Sequence, residues 1–187
     1  PTDECHPLRL NNTYTTTKLL GEQLCHLFYE NHGLSYTTLR LYNAYGLGQV
    51  EGYYIPDQIS KARTGIIELH GSNITKDWVC VDDVAEAFCR AVESAFVGPI
   101  NVGTGLETSL AIIASIIAKA YQAELVVHPV AVPTRMCGSY QRAERVLGWR
   151  PEVSLEEGLD RTISAQQIDP RRPRPGALRR HEGGPGD

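Results

Sequence analysis

The sequence lacks most of what would mark an extracellular or membrane protein. Its five cysteines, Cys5, Cys25, Cys80, Cys89 and Cys137, are odd in number and widely scattered. No C-x-x-C spacing occurs and no histidine cluster completes a metal site, so the cysteines read as reduced thiols of a cytosolic protein. The longest apolar run, 110-LAIIASIIA-118, is far shorter than the ~20 residues needed to span a bilayer. No signal peptide is visible, and the chain opens on Pro1 rather than Met, as at a processing site or fragment boundary. Neither sign of charge dominates. A formal net charge of −4 gives no general reason to expect nucleic acid or an anionic membrane as partner. The histidines (His6, His26, His32, His70, His128, His181) form no constellation along the sequence and read as surface or satisfied core residues. No internal repeat is evident.

What is present is ordinary globular text. A chain of 187 residues, 42% hydrophobic and 21% charged, is long enough for one domain with a real core. Residues 1–12 are polar and proline-punctuated, as in a loop. Residues 13–32 carry Leu19, Leu20, Leu24, Leu27 and Phe28 at helical spacing, with Gly33 placed to cap the helix. Residues 35–43 read as a strand and 44–54 as a Gly- and Tyr-rich loop. A helix is expected from Pro56 to about Thr64, short strands at 66–71 and 77–81, and a helix over 84–95 capped by Asp82 or Asp83. A strand at 99–103, a helix over 109–121, a strand at 125–130 and helices over 139–147 and 154–167 follow. Strands alternating with helices argue for a mostly parallel α/β sheet. Residues 169–187 are rich in Arg, Pro and Gly and are expected to be a disordered tail. That tail carries a local +3 over residues 170–187 and leaves −7 on residues 1–169. Five arginines without aromatic residues read as a solvated tail rather than a nucleic-acid site.

One short stretch, 13-TYTTTKLLGEQL-24, sets Tyr14 and Lys18 four residues apart at a helix start, and hence on one face. Alone the pair is a weak signal, since nine Tyr and four Lys give about 0.2 such spacings by chance. The chemistry it permits is specific. A free phenol, with a pKa near ~10, is a poor base at neutral pH, and a nearby ammonium favours the phenolate.

Downstream stand 39-LRLYNAYGLGQ-49, 76-KDWVCVDDVAEAF-88, 100-INVGTG-105 and 147-LGWRPEVSLEEGL-159. In this order, behind Tyr-x-x-x-Lys, the sequence resembles the extended short-chain dehydrogenase/reductase family, and in particular its NAD-dependent nucleotide-sugar epimerases and dehydratases. The resemblance covers most of residues 10–160. It implies the C-terminal part of a Rossmann-like parallel sheet plus the small substrate-binding α/β region, over residues 1–168. It implies Tyr14 as proton acceptor and Lys18 as its activator and anchor for NAD, with Asn43, Lys76, Asn101 and Arg135 lining a nucleotide-sugar pocket. Two departures accompany these roles. Lys76 stands where the family has Arg, and Ser139 where an Asp is usual, in a shortened loop. Trp149 is expected in the core.

The family is roughly twice this length. Its first half holds a G-x-x-G-x-x-G turn that seats the NAD pyrophosphate on a helix N-terminus. That turn is absent here, Gly46 and Gly48 do not replace it, and no residue takes the family's Ser/Thr role. The resemblance therefore implies the C-terminal half of a cytoplasmic epimerase or 4,6-dehydratase (an isomerase or a lyase). Such a chain is expected to be inactive alone, and either to pair as a homodimer or to meet a chain supplying the N-terminal half. It should also expose an apolar edge and face. The competing reading is a degenerate, non-catalytic module that binds a nucleotide sugar or a partner protein.

Overall fold

The computed structural model describes residues 1–8 and 12–168. The expected tail at 169–187, with the nucleic-acid reading of its arginines, lies outside these residues. Helix α1 (Thr13–His32) starts at Asn12, whose side chain accepts the Thr15 N–H at 2.9 Å while the Thr15 hydroxyl accepts the Asn12 N–H in return. It stops at Gly33, which has φ 67° and closes the last turn onto the Tyr29 carbonyl.

The strands that follow form four pairs. β1 (Thr37–Leu41) lies parallel to β6 (Gly98–Val102), and β2 (Asn43–Tyr45) parallel to β5 (Trp78–Cys80). β3 (Ile66–His70) lies parallel to β8 (Glu124–His128), and the two-residue β4 (Thr75–Lys76) and β7 (Thr108–Ser109) are antiparallel. The α/β class and the predominance of parallel pairing agree with the sequence reading, but the pairs do not join into one continuous sheet. The expected strand over 35–43 is broken at Tyr42, and the expected loop over 44–54 begins inside a strand. The cause is a change of partner. The Tyr42 N–H donates to Val102 of β6, and the Asn43 N–H donates to Asp77 at the start of β5.

The remaining helices are α2 (Tyr54–Ala62), α3 (Val81–Glu93), α4 (Leu110–Tyr121), α5 (Gln141–Leu147) and α6 (Leu155–Ile168). They cover two separate cores. One gathers Ile55, Ile59, Ile67, Trp78, Ile113 and Leu159 from α2, β3, β5, α4 and α6, and the other gathers Val79, Val84, Ile100, Val102 and Trp149 around α3, β6 and α5. Trp149 is buried, as its sequence context implies, and its indole N–H donates to the Asp83 carbonyl.

The capping role expected of Asp82 or Asp83 is not what the structure assigns. β5 runs straight into α3 with no turn between, so Cys80 is the N-cap without a side-chain bond, and both aspartates fall in the first turn. Asp82 instead pairs with Arg161 at 3.1 Å. Asp83 is buried and accepts the N–H groups of Glu152 and Val153, which fastens the 147–159 stretch to α3. Gly158 completes that fastening, because a Cβ there would overlap the Tyr45 hydroxyl.

Candidate active site and substrate pocket

Tyr14 and Lys18 lie one turn apart on α1, with the Lys18 Nζ 5.4 Å from the Tyr14 ring centroid. Tyr14 is 70% exposed, and no residue of α1 is buried. Among the described residues, contacts from the helix to the strands run along one flank. Arg40 makes a double hydrogen bond to Glu22, its Nε donating at 2.9 Å, and the rings of His26 and Tyr29 meet Tyr36 edge-on at 6.4 and 6.3 Å. The bond to the Glu22 carboxylate pushes the Arg40 guanidinium above its ordinary pKa. Glu22 meets the end of β1 and Tyr29 meets its start, so α1 runs antiparallel to the strand. Tyr14, eight residues before Glu22, then extends ~12 Å beyond Arg40. That is the carboxyl end of β1 and β6, the edge at which α/β proteins place ligands.

Asn43 sits at the same edge, just past β1. Its Nδ2 donates to the Asp77 carbonyl at 3.0 Å and lies 3.5 Å from the Met136 sulfur, and Oδ1 has no hydrogen bond among the described residues. Asp77 is the organising residue that the sequence reading missed. It is 0% exposed, and its carboxylate accepts four hydrogen bonds. These come from the Thr104 N–H and hydroxyl (both 2.7 Å), the Gly105 N–H (3.0 Å) and the Gly138 N–H (3.1 Å). Loops 103–106 and 136–139 are thus drawn to one carboxylate beside Asn43. Burial, and then the Asp77 charge, push the neighbouring Tyr42 phenol up, so it stays neutral. The available signal was an Asp at the start of the apolar stretch 78-WVC-80, which marks a strand start and says nothing of four distant donors.

Lys76, in β4, pairs across to Thr108, and its side chain makes neither an ion pair nor a hydrogen bond among the described residues. Arg135 comes to the other side of β4, bridging to Thr75, but its guanidinium is engaged by Glu107 through two bonds of 2.9 Å. Thr75 donates to the same carboxylate at 2.9 Å. Arg135 and then Thr75 hold the Glu107 carboxyl below its ordinary pKa, and Glu107 raises Arg135 in turn. Asn101 is only 3% exposed and lies beneath the leading segment, its Nδ2 donating to the Thr2 carbonyl at 3.1 Å and its N–H to the Glu4 carboxylate at 2.8 Å. The structure therefore gathers Asn43, Lys76 and Arg135 around residues 75–77, sets Asn101 under residues 2–4, and carries Tyr14 and Lys18 to the same edge on a separate helix.

This is the carboxyl edge of a Rossmann-like α/β fold, reached by a helix that bears a phenol and an amine. The comparisons with known proteins give the family. The NAD dependent epimerase/dehydratase family matches residues 1–103, and the chain belongs to that family. It is 34% identical over 175 residues to a UDP-glucose 4-epimerase of Mycolicibacterium smegmatis, a match covering 87% of this chain and 55% of that protein. It is 33% identical to a putative UDP-glucose 4-epimerase of Methanocaldococcus jannaschii, over 88% of this chain and 56% of the other. Its fold superimposes with TM-score 0.82 and 29% identity on a UDP-glucose 4-epimerase from Thermotoga maritima solved with UDP-glucose, over 90% of this chain and 57% of that one. The chain spans about half the length of the curated relatives it matches.

Proposed function

We propose that these residues form the C-terminal half of the active site of an NAD-dependent nucleotide-sugar epimerase or dehydratase. The observation that carries this is the antiparallel seating of α1 on β1, which sets Tyr14 and Lys18 at the same sheet edge as Asn43. Tyr14, as phenolate, takes the proton of a sugar hydroxyl, and the Lys18 ammonium stabilises that phenolate. Asn43, with one N–H already committed to Asp77, offers its oxygen to a hydroxyl of the ligand. Lys76 neutralises a phosphate as a point charge, without the two-pronged grip of an arginine. Asn101 and Arg135 complete the pocket, Arg135 once a phosphate competes with Glu107 for it.

An exposed phenol and amine on one helix face suit the nicotinamide-ribose end of NAD. The pyrophosphate end needs a glycine turn that this sequence does not contain. NAD, when bound, supplies the acceptor for the sugar's hydride. The decisive experiment fuses this chain to the glycine-turn half of the Mycolicibacterium smegmatis relative and follows UDP-glucose conversion. The fusion should turn over, and Lys18→Arg, which keeps a charge but misplaces it, should slow it ~100-fold. A fusion that seats NAD and UDP-glucose yet shows no Tyr14-dependent turnover would refute the catalytic reading.

A second reading, a binding module without redox chemistry, draws support from the engagement of Arg135 by Glu107 and from the uncovered apolar stripe of α1. It expects the same fusion to hold UDP-glucose with no reduced nicotinamide formed.

A further inference from the structure

The histidines look isolated along the sequence, but the β3–β8 register corrects that reading. His70 and His128 are direct partners in adjacent parallel strands, with rings stacked at 4.7 Å and an interplanar angle of 16°. Glu68, two residues before His70, projects from the same face of β3, because strand side chains alternate. Its Oε1 lies 3.5 Å from the Nε2 of His70 and 3.5 Å from the Nε2 of His128. One donor atom from each of the three residues lies within 4.8 Å of the other two. All three stand on the solvent side of β3–β8, whose other side packs Ile67 and Leu69 into the first core.

We infer that Glu68, His70 and His128 form a site for a divalent transition-metal ion of the Zn2+ type, with water completing the coordination. The argument is geometric. Zinc bound ~2.0–2.2 Å from nitrogen and oxygen donors in a tetrahedron needs those donors about 3.3–3.5 Å apart. The two nitrogen-to-carboxylate separations already meet that spacing, and the two stacked imidazoles need only tilt toward each other about their side-chain torsions to aim both lone pairs at one ion. Two imidazoles and one carboxylate are also the donor set that borderline-soft ions favour over Mg2+ or Ca2+. Ordinary hydrogen bonding does not require this arrangement, since both nitrogens converge on a single carboxylate oxygen from beyond hydrogen-bond distance.

The position gives the site a structural consequence. His70 leads through Gly71 to Asn73 and Lys76, and His128 leads through Val130 to Arg135. The two arms are laced together just beyond the histidines. The Gly71 N–H donates to the His128 carbonyl at 2.7 Å, and Asn73 exchanges two bonds of 2.9 Å with Val130. A metal at Glu68, His70 and His128 clamps the root of both arms.

The test is a Zn2+ titration of the chain purified without a histidine tag, with Co2+ as a spectroscopic substitute. One equivalent should bind saturably near neutral pH and raise the melting temperature. His70→Ala and His128→Ala should each weaken binding at least tenfold, with Glu68→Gln weaker than the parent as well. Bound Co2+ should show the visible bands of a four-coordinate nitrogen–oxygen site. Circular dichroism of the metal-free variants, whose replaced side chains lie on the outer face of the sheet, checks that each keeps the parent fold. The inference is overturned by an absence of saturable uptake or by uptake unchanged in the double His70→Ala, His128→Ala variant. A sulfur-to-metal charge-transfer band, which would assign the ion to the exposed cysteines Cys5, Cys25 or Cys89, would also overturn it.

Discussion

Asp77 carries more of the local architecture than any residue proposed to touch substrate. A buried carboxylate that accepts four hydrogen bonds stabilises a structure chiefly through what its removal leaves behind. Asp77→Ala would strand three backbone N–H groups and one hydroxyl out of reach of water. With charged-group hydrogen bonds contributing about 1.5–3 kcal/mol each and not adding fully, a loss of about 3 kcal/mol or more is expected. The urea midpoint should fall with little change in slope, and a loss under about 1 kcal/mol would sink the assignment. Glu107 makes a different prediction, because it is exposed and its effect depends on pH. Its folded-state pKa is depressed by Arg135, so the stabilisation is present above the ordinary glutamate value of ~4.3 and is lost as pH falls through the lower folded value. Urea midpoints of the parent and of Glu107→Gln should therefore differ near neutrality and converge in acid, more nearly equal at high salt. If Arg135 contacts phosphate, the same substitution releases it and should tighten nucleotide-sugar binding.

Among the elements, α1 stands apart. Its twenty residues contribute none to either core, and Leu20, Leu24, Leu27 and Phe28 are all at least half exposed. Such a helix, held among the described residues by an ion pair and ring contacts, belongs to the low-stability end of a structure. Its amides should exchange with solvent much faster than those of α4, which buries Ile113 and Ile117. Binding of a chain that supplies the N-terminal half should slow them, and Leu24→Glu should weaken that protection without shifting the melting temperature of the chain alone. Equal protection of α1 and α4 in the isolated chain would contradict this picture.

At the scale of the whole molecule, the sequence was most legible where one short stretch determines the outcome. The apolar spacing of 13–32 and 109–121 and the capping glycine at 33 give α1 and α4 directly, and the ordered stretches at 39–49, 76–88, 100–105 and 147–159 identify the family. It was least legible where partners are remote. β4 and β7 are two residues each, too short to show a period. The split of 35–45 into two strands depends on the partner each half finds, which no local pattern encodes. His70 and His128 meet only through strand register, and the donors of Asp77 arrive from two separate loops. The candidate site residues share that difficulty. Their types could be read in the sequence, whereas the engagement of Arg135 by Glu107 and of Asn101 by Thr2 could not.

The joint between Arg40 and Glu22 has a consequence for how such an enzyme can be tuned. Tyr14 and Lys18 ride on a rod whose ion pair to the strands, among the described residues, is at Glu22, while Asn43 and Lys76 belong to the body of the molecule. A small change at that joint swings the phenol proposed to accept the proton through an arc without displacing Asn43 or Lys76. Turnover and affinity then become separable properties. A lineage, or an engineer, could adjust one by altering the joint and the other by altering Asn43 or Lys76.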